Sequence, residues 1–345
     1  MRLYLRAVIA KLRDAANYAQ TLTFKRLGNM RQIVWSYYNS RRTGINKHKG
    51  LPISISIEPT TSCNLRCPQC PSGLRSFTRD TGMLPEELNQ KIIDELAPTL
   101  TYITYYFQGE PYLNPSFLDM VAYASKHNIY TATSTNAHYL TPEVSERTVK
   151  SGLKRMIISI DGTTQDTYGK YRIGGNLEKV LEGTKNIVDA KKKFGKGPYI
   201  MWQFIAFGHN EHQLKEVKNL AKKYGVDHLA IKTAQIYDFA VDDALIPKNE
   251  KLSRYKMTEK GYEIKNKLLD HCWRLWQACV ITWDGKVAPC CFDKDASHQF
   301  GDLQVQSFRE VWHNARYQSF RKLVLKSRKN IDICQNCTEG TKVWI

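Results

Sequence analysis

Three closely spaced cysteines are the clearest candidates for functional residues in this chain. They read Cys63-x3-Cys67-x2-Cys70 and follow a β-rich run at 53–58. Three thiolates on one short loop can bind three irons of a [4Fe–4S] cluster, which normally takes four cysteines and would then keep one iron open to a small molecule. The alternatives are buried free thiols or a zinc site, but zinc takes four ligands, and the nearest histidine is His48.

Alternating β-rich and helical segments must position this loop. The predicted strands are 53–58, 101–107, 129–134, 155–160, 199–206 and 228–233, and the predicted helices between them are 85–97, 116–127, 142–151, 176–193 and 211–224. Strands that alternate with helices predict a parallel sheet, in which sites gather at the carboxyl ends of the strands. Six such units fit an open doubly wound sheet or an incomplete barrel, and the spacing does not decide between them.

A second group of cysteines follows residue 271. The β-rich runs 280–283 and 286–288 flank Asp284-Gly285, which is typical of a two-residue type I′ hairpin turn. Cys290 and Cys291 are adjacent, so in a strand only one of them can face a cluster. A two-residue turn would place Cys279 opposite Cys290 and make Cys279 a candidate ligand. A predicted helix at 308–326 precedes Cys334-x2-Cys337.

The first cysteine motif, placed after the first strand, resembles the signature of the radical S-adenosylmethionine (SAM) superfamily. The resemblance covers residues 51–345. It implies a partial (β/α)6 TIM-like barrel whose open iron is chelated by SAM. In that family, one electron from the reduced cluster splits SAM into methionine and a 5′-deoxyadenosyl radical, which abstracts hydrogen from the substrate.

Short motifs at the ends of later strands resemble the SAM contacts of the family. Gln108-Gly109-Glu110-Pro111 is similar to the G-G-E-P turn that receives the SAM amino group, with glutamine in place of the first glycine. The residue before the third cysteine is commonly aromatic and is Gln69 here. The resemblance implies SAM contacts from six residues: Gly109, Glu110, Ser134, Ser159, Arg172 and Gln203.

The C-terminal cysteines resemble the SPASM domain, or its shorter twitch relative, that extends some radical SAM enzymes. The pattern is C-x12-G-x4-C from Cys272, followed by C-x2-C. It implies one auxiliary [4Fe–4S] cluster, because there are too few cysteines for a second one. The implied ligands are Cys272, Cys290, Cys334 and Cys337. This family spacing favours Cys272 over Cys279, and a four-cysteine zinc site is the alternative.

These patterns divide the chain into four segments. Residues 1–50 form a basic helical leader, 51–240 the radical SAM core, 241–270 a connector that ends in a Lys-rich helix, and 271–345 the hairpin-plus-helix iron–sulfur domain. The chain contains 51 Lys and Arg against 33 Asp and Glu, a net charge of +18. The leader contributes eleven of these cations and a single acid, Asp14.

The leader also has an apolar stripe at helical spacing: Leu5, Val8, Ile9, Leu12, Ala16 and Ala19. The stripe predicts a helix packed on the body, or alternatively a peripheral contact of residues 1–40 with an anionic membrane.

The chain has neither a signal peptide nor a run of about 18 apolar residues. This predicts a cytoplasmic protein, which is membrane-associated only if the leader binds lipid. Cytosolic cysteines stay reduced. Nucleic-acid binding is not expected, because no known motif for it is present.

The resemblance implies an enzyme and leaves its reaction open. One hypothesis is a two-electron oxidation of a small or carrier-linked anionic substrate, with the auxiliary cluster as electron acceptor. A second is modification of a peptide or protein, and a third is a non-enzymatic iron–sulfur scaffold, which predicts no SAM cleavage. Either enzymatic reaction would need flavodoxin or ferredoxin as a low-potential electron donor. The catalytic base is not assigned. The candidate groups near the substrate are Tyr105, Tyr106, Asp161, Lys232 and Gln235.

Overall fold

The computed structural model describes residues 2–237, 239 and 243–343, with side chains from residue 8 onward except at residue 243. The boundary predicted between 240 and 241 and the side chain of Leu5 lie outside this described part. No described helix combines the length and the apolar composition needed to cross a membrane.

The core of the molecule is one eight-stranded, largely parallel sheet that does not close. Its strands are β1 (Ser54–Ile57), β2 (Tyr102–Tyr105), β3 (Tyr130–Thr135), β4 (Arg155–Ser159), β5 (Tyr199–Ala206), β6 (His228–Thr233), β9 (Ala278–Ile281) and β10 (Val287–Ala288). They lie in the order β10-β9-β1-β2-β3-β4-β5-β6. β1 to β6 run parallel and in sequence. The α/β class and the partial barrel are therefore confirmed.

Helices connect the successive parallel strands, and further helices precede and follow the barrel. They are α1 (Arg2–Ala19), α2 (Phe24–Thr43), α3 (Pro71–Leu74), α4 (Glu86–Leu96), α5 (Phe117–Lys126), α6 (Pro142–Lys150), α7 (Gln165–Tyr171), α8 (Leu177–Lys193), α9 (Leu214–Tyr224), α10 (Trp273–Gln277), α11 (Phe308–His313), α12 (Ala315–Ser327) and α13 (Asp332–Gln335). Trp202 and Phe204 of β5 belong to the hydrophobic core. Because strand side chains alternate, Gln203 between them points to the opposite, inner face.

The C-terminal hairpin continues the barrel sheet. β9 pairs parallel with β1, and β10 pairs antiparallel with β9. The predicted two-residue turn is wrong. Ile281 pairs with Val287, and the amide of Thr282 donates to the carbonyl of Lys286. Trp283 therefore joins Asp284 and Gly285 in a three-residue loop, with Gly285 at φ +82°. This register moves Cys279 away from its expected position opposite Cys290.

Two other elements differ from the sequence prediction. The Lys-rich helix expected at the end of the connector is instead a hairpin of β7 (Tyr255–Thr258) and β8 (Gly261–Ile264). The helix predicted at 308–326 divides into α11 and α12 at Asn314. The side chain of Asn314 accepts a hydrogen bond from the amide of Tyr317 and so caps the second helix.

α1 packs against the barrel through a buried acid. Asp14 accepts hydrogen bonds from the hydroxyl of Tyr130 on β3 and from the guanidinium of Arg155 on β4. The ring of Tyr18 packs edge-on against Tyr130, with centroids 5.9 Å apart. The only acid of the first fifty residues therefore anchors the leader to the barrel, although Leu12 stays 64% exposed.

α2 contacts the ends of two barrel helices and the C-terminal segment. The guanidinium of Arg26 is buried and donates to the carbonyls of Ala97, after α4, and of His127 and Asn128, after α5. A cation at these C-termini also interacts favourably with the negative ends of the two helix dipoles. Further along α2, Met30, Ile33 and Tyr37 form a hydrophobic cluster with Ile53, Trp273 and Trp276.

Candidate functional site

The first cysteine loop lies between β1 and α3 and is fixed by backbone and side-chain hydrogen bonds. The backbone amide of Arg66 donates to the carbonyl of Ile173, and the side-chain amide of Asn136 donates to the side-chain oxygen of Asn64 at 2.7 Å. Cys67 is buried, and Cys63 and Cys70 are half-buried. Burial raises the pKa of the Cys63 thiol to about 12 and also raises that of Cys67.

The turn after β2 approaches this loop through a glycine. Gly109 has φ +73°, and a Cβ added there would lie 2.2 Å from the carbonyl oxygen of Thr60. The Gly109 amide donates to the hydroxyl of Ser72 in α3 at 2.9 Å. No other residue type fits this close approach between the turn and the chain before Cys63, which explains the glycine at this position.

Glu110 is buried and bonded to the end of β3. Its two carboxylate oxygens accept from the hydroxyl of Thr135 at 2.6 Å and from the amide of Asn136 at 2.8 Å. Burial raises its pKa to about 7. Glu110 therefore ties the β2 turn to the β3 turn at the carboxyl edge of the sheet, where a SAM contact was expected.

Arg172 lies beside the same cysteines and pairs with a carboxylate of this chain. Its Nε donates to Asp161 at 2.6 Å, and its Nη1 lies 3.7 Å from the Sγ of Cys67. The other Asp161 oxygen accepts from the amide of Ile205 at 2.7 Å. Asp161 is fully buried and doubly bonded, so its geometry does not suit a general base for a substrate.

The other expected contacts are distributed over the inner face of the barrel. Ser134 and Gln203 are half-buried, Ser159 is buried, and Ser159 pairs in register with Gln203. Among the candidate substrate groups, Lys232 is exposed and Gln235 half-buried. Tyr105 is buried in the core and donates to Asn89 at 2.9 Å, which indicates a structural role.

The four predicted cysteines of the C-terminal site lie near one another. Burial raises the pKa of Cys290, and the thiols of its chain neighbour Cys291, of Cys272 and of Cys337 raise it further. The thiols of Cys272 and Cys334 likewise raise the pKa of Cys337. The Nη2 of Arg328 lies 3.1 Å from the Sγ of Cys337. These four thiols therefore occupy one neighbourhood, next to a buried cation.

The two remaining cysteines occupy different places. Cys279 is fully buried in the hydrophobic core, where Arg321 is the charged group that acts on its pKa. Cys291 is half-buried and lies 3.8 Å from the Nη1 of Arg274. The structure thus brings Cys272, and not Cys279, to the other three cysteines.

The loop after Cys291 borders the first cysteine loop, and no motif in the sequence indicated this. Lys294 is half-buried, and burial lowers its pKa. Cys70 and Cys291 lie near enough to raise that pKa by a smaller amount. Its Nζ lies 4.3 Å from the centre of the Tyr237 ring. The backbone amide of Tyr237 in turn donates to the side chain of Gln69 at 2.9 Å.

Both cysteine sites suit an iron–sulfur cluster by their donor chemistry. All nine cysteines are free thiols. Within the described ranges, no three His, Cys, Asp or Glu side chains converge on one point as ligands of a single ion must. A four-iron cluster needs no such convergence, because each thiolate binds a separate iron. Cys63, Cys67 and Cys70 are the residues that fit the first cluster.

Comparison with known proteins agrees with this geometry. The family model of the Radical SAM superfamily matches residues 57–223, and that of the SPASM iron–sulfur cluster-binding domain matches 272–338. The mycofactocin maturase MftC of Mycolicibacterium smegmatis is 30% identical over 311 residues, which cover 83% of this chain and 75% of that protein. The tungsten-containing aldehyde ferredoxin oxidoreductase cofactor-modifying protein of Pyrococcus furiosus is 27% identical over 301 residues, 77% and 82% of the two chains.

Among solved structures, Streptococcus suis SuiB bound to the precursor peptide SuiA superposes with a TM-score of 0.63 at 14% identity, covering 91% of this chain and 76% of SuiB. The Radical SAM match implies a [4Fe–4S] cluster with SAM, and the SPASM match implies auxiliary iron–sulfur binding. The chain belongs to the radical SAM superfamily and to its enzymes with a SPASM domain.

Proposed function

We propose that this radical SAM enzyme oxidises, by two electrons, a small or carrier-linked substrate that carries an anionic group. The substrate would bind between the two cysteine sites, at the carboxyl edge of the sheet. Cys63, Cys67 and Cys70 would hold the SAM cluster, and Cys272, Cys290, Cys334 and Cys337 the auxiliary cluster.

The position of Lys294 carries this proposal. Lys294 lies near Cys70 of the first site and near Cys291, the chain neighbour of Cys290, and it forms no ion pair with any carboxylate of the described residues. A cation in a partly desolvated cleft attracts an anion more strongly than one in bulk water. The carboxylate or phosphate of a bound substrate would supply the missing partner.

The roles of the neighbouring residues follow from their contacts. When bound, the SAM cluster supplies the radical that removes a hydrogen atom from the substrate. Arg172 keeps a positive charge beside Cys67, and Asp161 holds that arginine in place. Tyr106 lies near Cys291, and burial raises the pKa of its phenol, so it stays protonated at neutral pH. The substrate would lose one hydrogen atom to the 5′-deoxyadenosyl radical, which forms 5′-deoxyadenosine, then one proton to solvent water and one electron to the auxiliary site, and the product would gain a double bond.

The test uses the anaerobically reconstituted enzyme with SAM, dithionite and a panel of phosphorylated or carboxylated alcohols beside their neutral analogues. We expect substrate-dependent 5′-deoxyadenosine from anionic compounds, with a product lighter by two hydrogens. Lys294→Gln should raise KM by about 30-fold, because a hydrogen bond between charged groups contributes about 2 kcal/mol. Lys260→Gln, an exposed lysine of the β7–β8 hairpin, is the matched control. Equal KM values for Lys294→Gln and wild type would contradict the role of Lys294.

Modification of a peptide is the second candidate, and the relationship to mycofactocin maturase favours it. It predicts 5′-deoxyadenosine formation only with a peptide, and a product whose mass change lies on one amino-acid side chain. Adding short acidic and neutral peptides to the same panel separates the two functions. Turnover with peptides and with none of the small molecules would overturn the proposed oxidation of a small substrate.

A further inference from the structure

One face of α2 is apolar, aromatic and exposed. Phe24 is 96% exposed, and Leu27, Trp35 and Tyr38 are about half exposed, at 45%, 55% and 49%. Their spacing places them on one side of the helix, opposite the buried side that includes Ile33 and Tyr37. A shallow groove runs along this face and is lined by Leu27, Met30, Arg31, Val34, Trp35, Tyr38, Asn39 and Arg42. We refer to these eight residues as the α2 face.

The surroundings of the α2 face are strongly cationic. Arg31 and Arg42 belong to it, Arg41 is exposed beside it, and the Nζ of Lys49 lies 5.6 Å from the centre of the Trp35 ring. The sequence contains no Asp or Glu between Asp14 and Glu58, and Asp14 is already bonded to Tyr130 and Arg155. None of these four cations forms an ion pair with a carboxylate in the part of the chain that the structure describes. Cations around exposed aromatic rings fit an acidic protein surface.

A short series of aromatic rings leads from the α2 face to the auxiliary cysteines. The rings of Tyr38 and Tyr37 have centroids 5.5 Å apart, and those of Tyr37 and Trp273 are 5.1 Å apart. The hydroxyl of Tyr37 also hydrogen-bonds the Nδ1 of His271 at 2.8 Å. His271 and Trp273 are the two chain neighbours of Cys272. Electron tunnelling weakens steeply with distance, so closely packed rings of this kind favour it.

We infer that the α2 face is the docking site of a small acidic electron carrier of the flavodoxin or ferredoxin class, which exchanges electrons with the auxiliary site. The inference rests on the proposed oxidation, in which each turnover leaves one electron at the auxiliary site. In the docked complex, that electron passes to the oxidised carrier, so that the auxiliary site is oxidised by one electron and the carrier is reduced by one. No proton or bond is exchanged.

The test measures binding and electron transfer separately on the reconstituted enzyme. An acidic plant-type ferredoxin and a flavodoxin serve as probes, with Kd from calorimetry and the transfer rate from stopped-flow mixing of the dithionite-reduced enzyme with oxidised probe. We expect the double variant Arg31→Glu, Arg42→Glu to weaken binding at least tenfold and to flatten its salt dependence. Tyr38→Leu should slow transfer at saturating probe by at least threefold. Lys215→Glu, Lys223→Glu on the exposed side of α9 is the control with the same charge change.

The outcomes distinguish this inference from the function on which it rests. Equal Kd values for both double variants, or binding of the wild type to anionic phosphatidylglycerol vesicles but to neither probe, would overturn the docking site. Neither result would affect substrate oxidation with dithionite as reductant. Conversely, tight charge-dependent docking without any oxidised product would leave the α2 face as the docking site and refute the proposed reaction.

Discussion

Replacing Gly340 by alanine is expected to remove the auxiliary cluster and leave the SAM cluster in place. Gly340 has φ +84°, and an added Cβ would lie 2.5 Å from the Sγ of Cys272. Carbon and neighbouring heavy atoms normally approach to about 3.5–4.0 Å, so the sulfur or the loop would have to move by about 1 Å. Ligand sets tolerate displacements of about 0.5 Å, which makes loss of the cluster the expected result.

The control for backbone strain is Gly195→Ala. Gly195 has φ +63°, but an added Cβ there meets nothing within 4 Å. Both variants therefore carry the left-handed strain of about 1–2 kcal/mol, and only Gly340→Ala has the steric conflict. The difference between the two variants isolates the contact with Cys272.

The assay is iron and sulfide content after anaerobic reconstitution, with electron paramagnetic resonance of the reduced protein with and without SAM. Wild type and Gly195→Ala should hold about eight irons per chain, and Gly340→Ala about four, with a signal that still shifts on adding SAM. About eight irons in Gly340→Ala with an unchanged second signal would refute the placement of Cys272 in the auxiliary site. About four irons in the wild type would refute the auxiliary cluster itself.

Two further predictions concern stability. Arg26→Met should lower the free energy of unfolding by about 3 kcal/mol in urea titrations, because it leaves carbonyls after α4 and α5 unpaired. The control Arg31→Met, at an exposed position on the same helix, should change that free energy by less than about 0.5 kcal/mol. Equal losses in the two variants would refute the capping role of Arg26. His48 is held neutral, since burial and then Arg321 lower its pKa well below the usual value. The unfolded chain binds a proton there below about pH 6.5, so this group alone should lower the free energy of unfolding by up to about 1.4 kcal/mol for each unit by which the pH falls. His48→Gln should reduce the slope by that amount in urea titrations at pH 7, 6 and 5.

The strands of the barrel could be predicted closely because their local pattern and their tertiary role agree. The predicted run 199–206 is β5 itself, and the run 228–233 is β6. β5 alternates buried and half-buried residues because its side chains face the two sides of the sheet, and both runs are rich in β-branched and aromatic residues, which locates such strands in the sequence. The cysteine motifs were equally visible, because their spacing is local in the sequence.

Features that depend on long-range packing were not predicted. The strands of the β7–β8 hairpin are four residues long, and Tyr255 is their one buried side chain, so no apolar alternation marks them in the sequence. One additional loop residue, Trp283, changed the register of the C-terminal hairpin, because its amide and indole bond to Glu58 and to the Asp80 carbonyl. Lys294 belongs to no motif and acquires its position only when the loop after Cys291 meets the loop of Cys70.

The pairing of β9 with β1 has a consequence for how the chain is made. β1 precedes its β9 partner by more than two hundred residues, from Ser54 to Ala278. During synthesis, the strand that leads into the first cysteine loop therefore keeps one unpaired edge until nearly the whole chain has left the ribosome. Exposed edges of this kind recruit other strands. A fragment that ends before residue 278 should therefore aggregate, and the barrel should not be separable from its C-terminal segment as an independent folding unit.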